Sequence, residues 1–597
     1  MSEARWVLSE SDSLLCEDLQ QQLGCPRVVA KLLAARGVTP ESASAFLVPT
    51  LPQLHDPWLM LGMAEAVARV QRAVAAGEKI LIYGDYDVDG TTATVLLKTA
   101  IERIATAEIP ARVIYHVPHR LREGYGMQNE RLAEAAADGV SLVISVDTGI
   151  RAFAQAEEAK ALGLDLIVTD HHLPDGVEGV PEAVAVINPA QRGCGYPNKD
   201  LCGAGVAFKL AHALLGAHAT TPEQRKRLEQ VLVPSFLKLV AIATIADSVA
   251  LTRENRAIAW IGLRALANPV QPGLRALMQV SKLALDKPPT ASEVGFRLAP
   301  RINAAGRMDI ASDVVELFLT RDAERAKMLA EKLDGLNQDR RATEAAALDA
   351  IEMQLMTLRT DDGGYPAECI VLDHPEWHRG VLGILASRVV ERTNRPALVL
   401  TSEDENSHGS GRSVAGFHLL DAISAAHGGG PIFHRFGGHA HAVGFSLPTA
   451  RLEQLRGLLR AHAAEHLTAE LLVPEIAIDA EVCAGELNRE LCGWMERLAP
   501  FGVGNAEPVL VARALKLSGA PRVIKERHVC LPLEGGLSAM GWSRTGHVAW
   551  SDRVGSLGLV AGSRVDCVFR LRENKHPQWG GVELELIDLG VAQANAV

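Results

Sequence analysis

The sequence predicts a multidomain α/β protein: a parallel-sheet domain, a second α/β domain joined to it by a long helix, and a small OB-like β-barrel at the end. Three observations carry this. Apolar strand-like runs alternate with amphipathic helical patterns over 59–312, the pattern of βαβ units. A stretch rich in Ala, Glu, Lys, Arg and Leu then keeps helical spacing over 313–358. Beyond residue 470 come short alternating segments separated by Gly and Pro turns. At 597 residues the chain is too long for one core.

Residues 1–58 read as polar and helical, with Pro49, Pro52 and Pro57 marking a boundary. The parallel-sheet domain is predicted over 59–312. Its helices fall at 63–76, 91–104, 128–137 and 234–246, the last delivering Asp247. Its strands fall at 79–83, 113–117, 142–146, 166–169 and 184–187. Over 313–358, Ala330, Leu333, Leu336, Ala347, Leu348, Ile351 and Leu355 form the apolar stripe of a connecting helix, with Gly335 as a point of interruption. A turn at Asp361-Asp362-Gly363-Gly364 precedes a strand at 369–372 and a second α/β domain with glycine-rich loops over 359–470. The last domain, 471–597, carries strands at 475–478, 509–512, 529–533, 564–571 and 581–587. An OB fold is one member of that class.

Composition sets limits. Hydrophobic residues make up 48% and charged residues 22%, which suits a globular protein. No uninterrupted apolar run of bilayer length is expected, and Met1–Trp6 does not open a signal peptide. The nine cysteines form no CxxC pair, and an odd count argues against a disulfide framework, so Cys194 and Cys202 read as plain thiols. A cytoplasmic protein without a membrane partner is the expectation. The net charge of −12 decides little, because nucleic-acid affinity follows local basic surface and metal-binding aspartates inflate the negative total.

Chemistry concentrates where predicted strands end. The strand at 79–83 runs into Gly84-Asp85-Tyr86-Asp87-Val88-Asp89-Gly90, the strand at 142–146 into Asp147-Thr148-Gly149, and that at 166–169 into Asp170-His171-His172. In a parallel sheet these carboxyl ends share one edge, where ligands bind. So many converging carboxylates are tolerable only around cations. Asp85, Asp87 and Asp89 alternate, and on an extended or turning backbone they project into a common volume. An EF-hand calcium loop is an alternative reading, but a strand precedes the motif and Leu96 stands where the loop needs glutamate. A solvated acidic turn is another. Asp147 alone reads equally as a helix cap, and Asp247 equally as a helix C-terminal residue. Carboxylates with one or two imidazoles favour Mn²⁺ or Mg²⁺ over structural Zn²⁺. The ligands suffice for two ions about 3.5–4 Å apart, the arrangement of phosphoryl transfer.

These motifs, in this order, resemble the DHH phosphoesterase superfamily. Phe436-Gly437-Gly438-His439-Ala440-His441-Ala442-Val443-Gly444 is similar to the signature of its DHH-associated domain. Further blocks resemble the single-strand-specific exonuclease branch: Pro118–Gly126, Arg297–Arg307, Trp377–Ile384, Gly409–Ser413 and Pro500–Asn505. Ala250 departs from the proline usual there. The resemblance implies Asp85, Asp87, Asp89, Asp147, His171 and Asp247 as metal ligands, with Asp147 bridging. It implies His172 at the scissile phosphate or leaving oxygen, and Asp170 orienting the histidines.

Other groups read as substrate contacts. Arg120, Arg301 and Arg307 flank glycine-bearing loops and suit phosphates, though each reads equally as a surface arginine; Asn303 lies between the last two. Ser410, Arg412 and Ser413 suggest a phosphate nest. Gly437, Gly438, His439 and His441 would form a loop closing on the nucleotide, and Trp377 and His378 would stack on a base.

The resemblance implies a 5′→3′ exonuclease that releases 5′-mononucleotides from single-stranded DNA using two Mn²⁺ or Mg²⁺ ions. Its two α/β domains would flank a narrow channel, and the barrel would add strand-binding surface. Recombination and repair beside a single-strand-binding protein and a RecQ-type helicase are also implied. A DHH phosphodiesterase of short oligonucleotides, a pyrophosphatase and a catalytically silent replication scaffold are the alternatives.

Overall fold

The computed structural model describes residues 4–120, 122–308, 311–361, 363–543, 548–576 and 580–592. Leu121 of the Pro118–Gly126 block and Asp362 of the expected turn lie outside the described residues. The chain divides into two compact units. One comprises Glu41–Gln338 with Arg497–Glu507, the other Met1–Pro40, Asp339–Glu496 and Pro508–Val597. The first segment is not wholly helical: a strand, β1 (Arg5–Leu8), precedes the helices Ser13–Leu23 and Arg27–Ala35.

In the unit built on Glu41–Gln338, the apolar runs become β2 (Lys79–Tyr83), β3 (Arg112–His116), β4 (Val140–Val146), β5 (Asp165–Thr169) and β6 (Ala185–Ile187). All pair in parallel, in the order β3-β2-β4-β5-β6. The strands are continuously apolar because both faces are covered. Ile80, Ile82, Leu142, Ile144 and Ile167 pack with the helices Met63–Ala75, Val88–Ile104 and Gly203–His218. Leu81, Tyr83, Val143, Leu166 and Val168 pack with Asn129–Ala137 and Phe153–Ala161. In this strand order the winding reverses between β2 and β4, and ligands of doubly wound sheets bind in the crevice at that reversal.

The helix after β2 begins at Val88 rather than at the expected 91. Asp87 caps it, accepting from Gly90 N at 3.0 Å, so the second half of the acidic motif is already helical and the EF-hand alternative fails. Among the described residues one helical run, Pro222–Ala246, is long and apolar enough by length and composition to cross a membrane, though Lys238 interrupts its apolar stretch. Phe236, Leu237, Val240 and Ala243 on it are buried in the core of this unit.

The predicted connector is two helices, Ser312–Leu319 and Ala323–Thr357. Asp322 starts the second by accepting from Glu324 N (2.9 Å) and Arg325 N (3.2 Å). Gly335 does not interrupt it. Ala330 and Leu333 enter the core of one unit, and Ala347, Ile351 and Leu355 the core of the other.

The second unit holds a mixed sheet of β7 (Ile370–Asp373), β8 (Ala397–Glu403), β9 (Asn406–Arg412), β10 (Arg435–Gly438) and β11 (Ala442–Pro448), ordered β10-β11-β9-β8-β7. The helix Leu382–Thr393 covers one face at β7 and β8, and the helices Leu419–Gly428 and Leu452–His466 cover the other. The expected barrel strand at 475–478 exists as β12 (Glu475–Ile478), but its partner is β1, in parallel. The remaining strands are β13 (Ala480–Glu481), β14 (Leu510–Lys516), β15 (Arg522–Ile524), β16 (His528–Pro532), β17 (Ser538–Gly541), β18 (Arg564–Asn574) and β19 (Gly581–Val591). They form one sheet in the order β13-β14-β18-β19-β17-β16-β15.

A Cβ at Gly335 would meet nothing within 4 Å. Gly335→Ala should therefore stabilise the protein by about 0.5–1 kcal/mol through helix propensity alone, read from the denaturation midpoint.

Candidate metal centre

The strand order brings the predicted groups together above β2, β4 and β5. Ligand atoms of Asp85, Asp87 and Asp147 lie within 4.8 Å of one another, as do those of Asp89, His171 and Asp247, and those of Asp147, His171 and His172. Asp85 and Asp87 group with Asp147, and Asp89 with His171 and Asp247, while Asp89, Asp87 and Asp85 all act on Asp147.

Two carboxylates have their charge met by the protein. Asp89 Oδ2 accepts from Gly203 N (2.6 Å) and its Oδ1 from Ala204 N (2.7 Å), at the amino end of the helix Gly203–His218. Asp170 Oδ1 accepts from His171 N (2.8 Å) and His172 N (3.1 Å) and pairs with His172 Nδ1 (2.8 Å), while its Oδ2 accepts from Ile150 N (2.9 Å). Burial alone would raise Asp170, but these bonds hold it below the usual carboxylate range.

The others are different. Among the described residues, Asp85 Oδ1 and Asp147 Oδ1 are buried without a hydrogen-bond partner. Burial, then the neighbouring Asp87, pushes Asp85 well up, and burial with the charges of Asp89, Asp87 and Asp85 does the same to Asp147. Asp87 is raised by burial and Asp89. Asp247, at the end of the helix Val233–Ala246, is pushed up to about 8 by burial, Asp89 and Asp87. Asp147 also has φ +60°, a left-handed conformation rare outside glycine that ends β4 abruptly and turns its side chain inward.

His171 Nε2 lies 3.2 Å from Asp147 Oδ1, 3.7 Å from Asp89 and 3.8 Å from Asp247. Burial outweighs these carboxylates and lowers its pKa, giving the neutral imidazole that ligates metals. Burial also opposes charge on His172, but its bond to Asp170 prevails and holds it at about 9. The donor set fits divalent cations. Hard carboxylate oxygens dominate, one neutral imidazole joins them, and two buried oxygens lack internal partners.

Three contributors were not read from the sequence as site residues. Tyr125 OH lies 3.3 Å from His172 Nδ1 and donates to Asp147 O at 3.3 Å. Asn188 Nδ2 donates to His172 O at 2.8 Å. Gly203 meets Asp147 so closely that a Cβ there would lie 2.5 Å from its Oδ1. The Asn188-Pro189 pair after a predicted strand was a usable signal; nothing in the sequence distinguished Gly203.

Several predicted substrate groups have partners within the protein. Arg301, Asn303 and Arg307 lie on the helix Ala299–Met308. Arg301 is paired with Asp334 at 2.8 Å, and Asn303 Oδ1 accepts from Val88 N at 3.2 Å, bracing the acidic motif. Arg120 lies over the Tyr86 ring at 5.0 Å. In the other unit, Trp377 is a core residue stacked beside His374, and His378 Nδ1 accepts from Gly380 N at 3.0 Å as a helix cap. Ser413 Oγ donates inward to Phe417 O at 2.7 Å. Arg412 Nη1 donates to Ser410 Oγ (3.2 Å) and Gly411 O (2.8 Å), and burial lowers its pKa. Gly437 and Gly438 belong to β10 rather than a loop, with His439 and His441 in the turn that follows.

A doubly wound sheet with this carboxylate–histidine cluster at its reversal defines a DHH-type phosphoesterase domain. Residues 79–244 match the DHH family, N-terminal domain, residues 367–465 the DHHA1 domain, and residues 478–588 the RecJ OB domain. The single-stranded-DNA-specific exonuclease RecJ of Dickeya dadantii is 38% identical, over 86% of this chain and 88% of that protein. Its Bacillus subtilis counterpart is 36% identical, over 99% of this chain and 71% of that protein. The crystal structure of Thermus thermophilus RecJ in complex with Mn²⁺ superposes with a TM-score of 0.80 at 29% identity, covering 99% of this chain and 80% of that one. The chain belongs to the RecJ family.

Two outcomes follow from this geometry. Gly203→Ala should push Asp147 aside and weaken Mn²⁺ binding by about 10–100-fold, measured by titration of the metal-free protein, with the fold retained. Without metal, Asp85, Asp147 and Asp247 carry folded pKa values above their unfolded ones. Their contribution to stability is then complete below the unfolded value of about 4. It is lost as pH rises through the folded values, about 8 for Asp247. Melting temperature in chelator should fall across that window, and saturating Mn²⁺ should abolish the fall.

Proposed function

We propose that this chain is a metal-dependent exonuclease that digests single-stranded DNA from the 5′ end and releases 5′-mononucleotides. The observation that carries it is the pair of ligand groups, Asp85–Asp87–Asp147 and Asp89–His171–Asp247, at the winding reversal, with buried carboxylate oxygens left unpartnered. They suit two Mn²⁺ or Mg²⁺ ions, with Asp147 between them. Such a pair, when bound, lowers the pKa of a water and offsets phosphate charge.

The chain's own groups do the rest. Asp147 is held in place by its left-handed backbone and by Gly203. His171 stays neutral and presents Nε2. His172, charged near neutral pH and anchored to Asp170 through Nδ1, keeps a proton on Nε2 for a phosphate or leaving-group oxygen. Arg412, with Ser410, would take a substrate phosphate, and Arg120 would add charge near the acidic motif. The barrel would bind more of the strand by stacking and backbone contacts. A phosphodiesterase confined to very short oligonucleotides would not need it.

From the family resemblance we further propose that it works in the cytoplasm, in recombination and repair, beside a single-strand-binding protein and a RecQ-type helicase. With Mn²⁺ or Mg²⁺ the protein should release mononucleotides from a long single strand and spare a duplex, and chelator should stop it. Asp147→Ala should abolish this cleavage while strand binding, measured by anisotropy, stays largely intact. Unchanged turnover would remove Asp147 from the centre.

A further inference from the structure

The face of the mixed sheet that the helix Leu382–Thr393 covers at β7, β8 and β9, where its Gly383 lies against Ser410 and Arg412, continues past it onto β11 and β10. Ser410, Gly444 and Gly437 lie side by side in register, and both glycines are exposed. Neither has a positive φ, and a Cβ on either would meet nothing within 4 Å. Their neighbours contrast with them. A Cβ at Gly409 would strike the Phe445 ring, and one at Gly411 the Val443 and Leu419 side chains. Glycine in a strand interior is unfavourable, so it needs a reason, and at Gly437 and Gly444 none lies inside the protein. The remaining reason is room for something that approaches the bare backbone from outside.

One row further along, Arg435 on β10, Ser446 on β11 and His408 on β9 are aligned across the same face. Arg379 Nη2 reaches His408 Nδ1 at 2.9 Å, and Arg379 has only Glu403, at 3.5 Å, as its acidic neighbour in the described residues. Burial and then the positive charges of Arg379, Arg435 and His434 hold His408 below its ordinary pKa, a sign of crowded positive charge. His408 lies four residues from Arg412 on β9, about 13 Å along the strand.

We propose that this shelf is a second backbone station: Arg379, His408 and Arg435 hold a phosphodiester of the same single strand whose leading phosphate Arg412 takes, and the strand crosses the bare floor of Gly437 and Gly444. This rests on the exonuclease reading. Guanidinium and imidazole donors beside unobstructed backbone are the chemistry of phosphate recognition and are indifferent to base sequence.

The test compares full-length wild type, Gly444→Val and Arg435→Ala in chelator, by anisotropy with a 5′-phosphorylated dT dodecamer and with the dinucleotide pdTpdT. Valine suits a strand, so Gly444→Val should fold, and Arg435 is exposed enough to truncate without loss of packing. Each variant should weaken dodecamer binding by about tenfold, the value of one charge-assisted contact, with dinucleotide binding unchanged. Arg435→Ala should also lower the salt slope for the dodecamer by about one. Equal losses at both lengths, or none, overturn the station. So does a loss confined to a hexaglutamate peptide, which would make the shelf a protein-docking face. If wild type binds and digests single strands while the variants match it, the station alone fails. If wild type neither binds nor digests them, the exonuclease reading fails and the station with it.

Discussion

Burying several carboxylates in one place is the constraint on which the rest of this structure depends. Asp85, Asp89, Asp147 and Asp170 are all nearly sealed from solvent at the end of one sheet. Uncompensated, such charges are driven to protonate. The fold treats them in two ways. Asp89 receives two backbone amides, and Asp170 receives backbone amides and an imidazole that hold its pKa down. Asp85 and Asp147 keep buried oxygens without a hydrogen-bond partner among the described residues, and both are pushed well up. The first kind organises the site, while the second defines where a cation is required.

Much of this organisation was legible in the sequence because it depends on local pattern. Apolar runs closed by Asp-containing turns located β2, β4 and β5 to within a few residues, and parallel geometry then required their ends to converge. Less legible were features set by distant partners. β1 looked helical because a four-residue edge strand has too few positions for alternation to register, and its partner lies some 470 positions away. The grouping of Asp89 with His171 and Asp247 goes with Asp87 starting a helix and with the amides of Gly203 and Ala204 reaching across to Asp89. The break at 320–322 was marked by Asp322, a capping residue hidden in a run of good helix formers.

The predicted substrate residues that are engaged inside the protein have a common feature. Trp377, Ser413, Asn303 and Arg301 sit in motifs with polar or glycine-rich character, and motif membership says nothing about which way a side chain points. Trp377 closes a core, Ser413 and Asn303 satisfy backbone groups, and Arg301 meets Asp334. Each is needed to build the shape, and a residue so engaged has few bonds left to offer a ligand.

That accounting also separates structural arginines from binding ones. A guanidinium carries five N–H donors, and a buried one must spend them. Arg395 donates to the carbonyls of Tyr365, Pro366, Thr393 and Asn394, and Arg256 to those of Phe46, Ala499 and Pro500. Arg412, half-buried on β9, finds one serine hydroxyl and one carbonyl, and no carboxylate among the described residues. Its pKa is lowered because desolvation is not repaid by an internal anion. A buried cation left short of acceptors is the counterpart of the buried aspartates left short of donors. Each deficit marks, within its own unit, a place where the protein leaves charge for something other than its own side chains to meet.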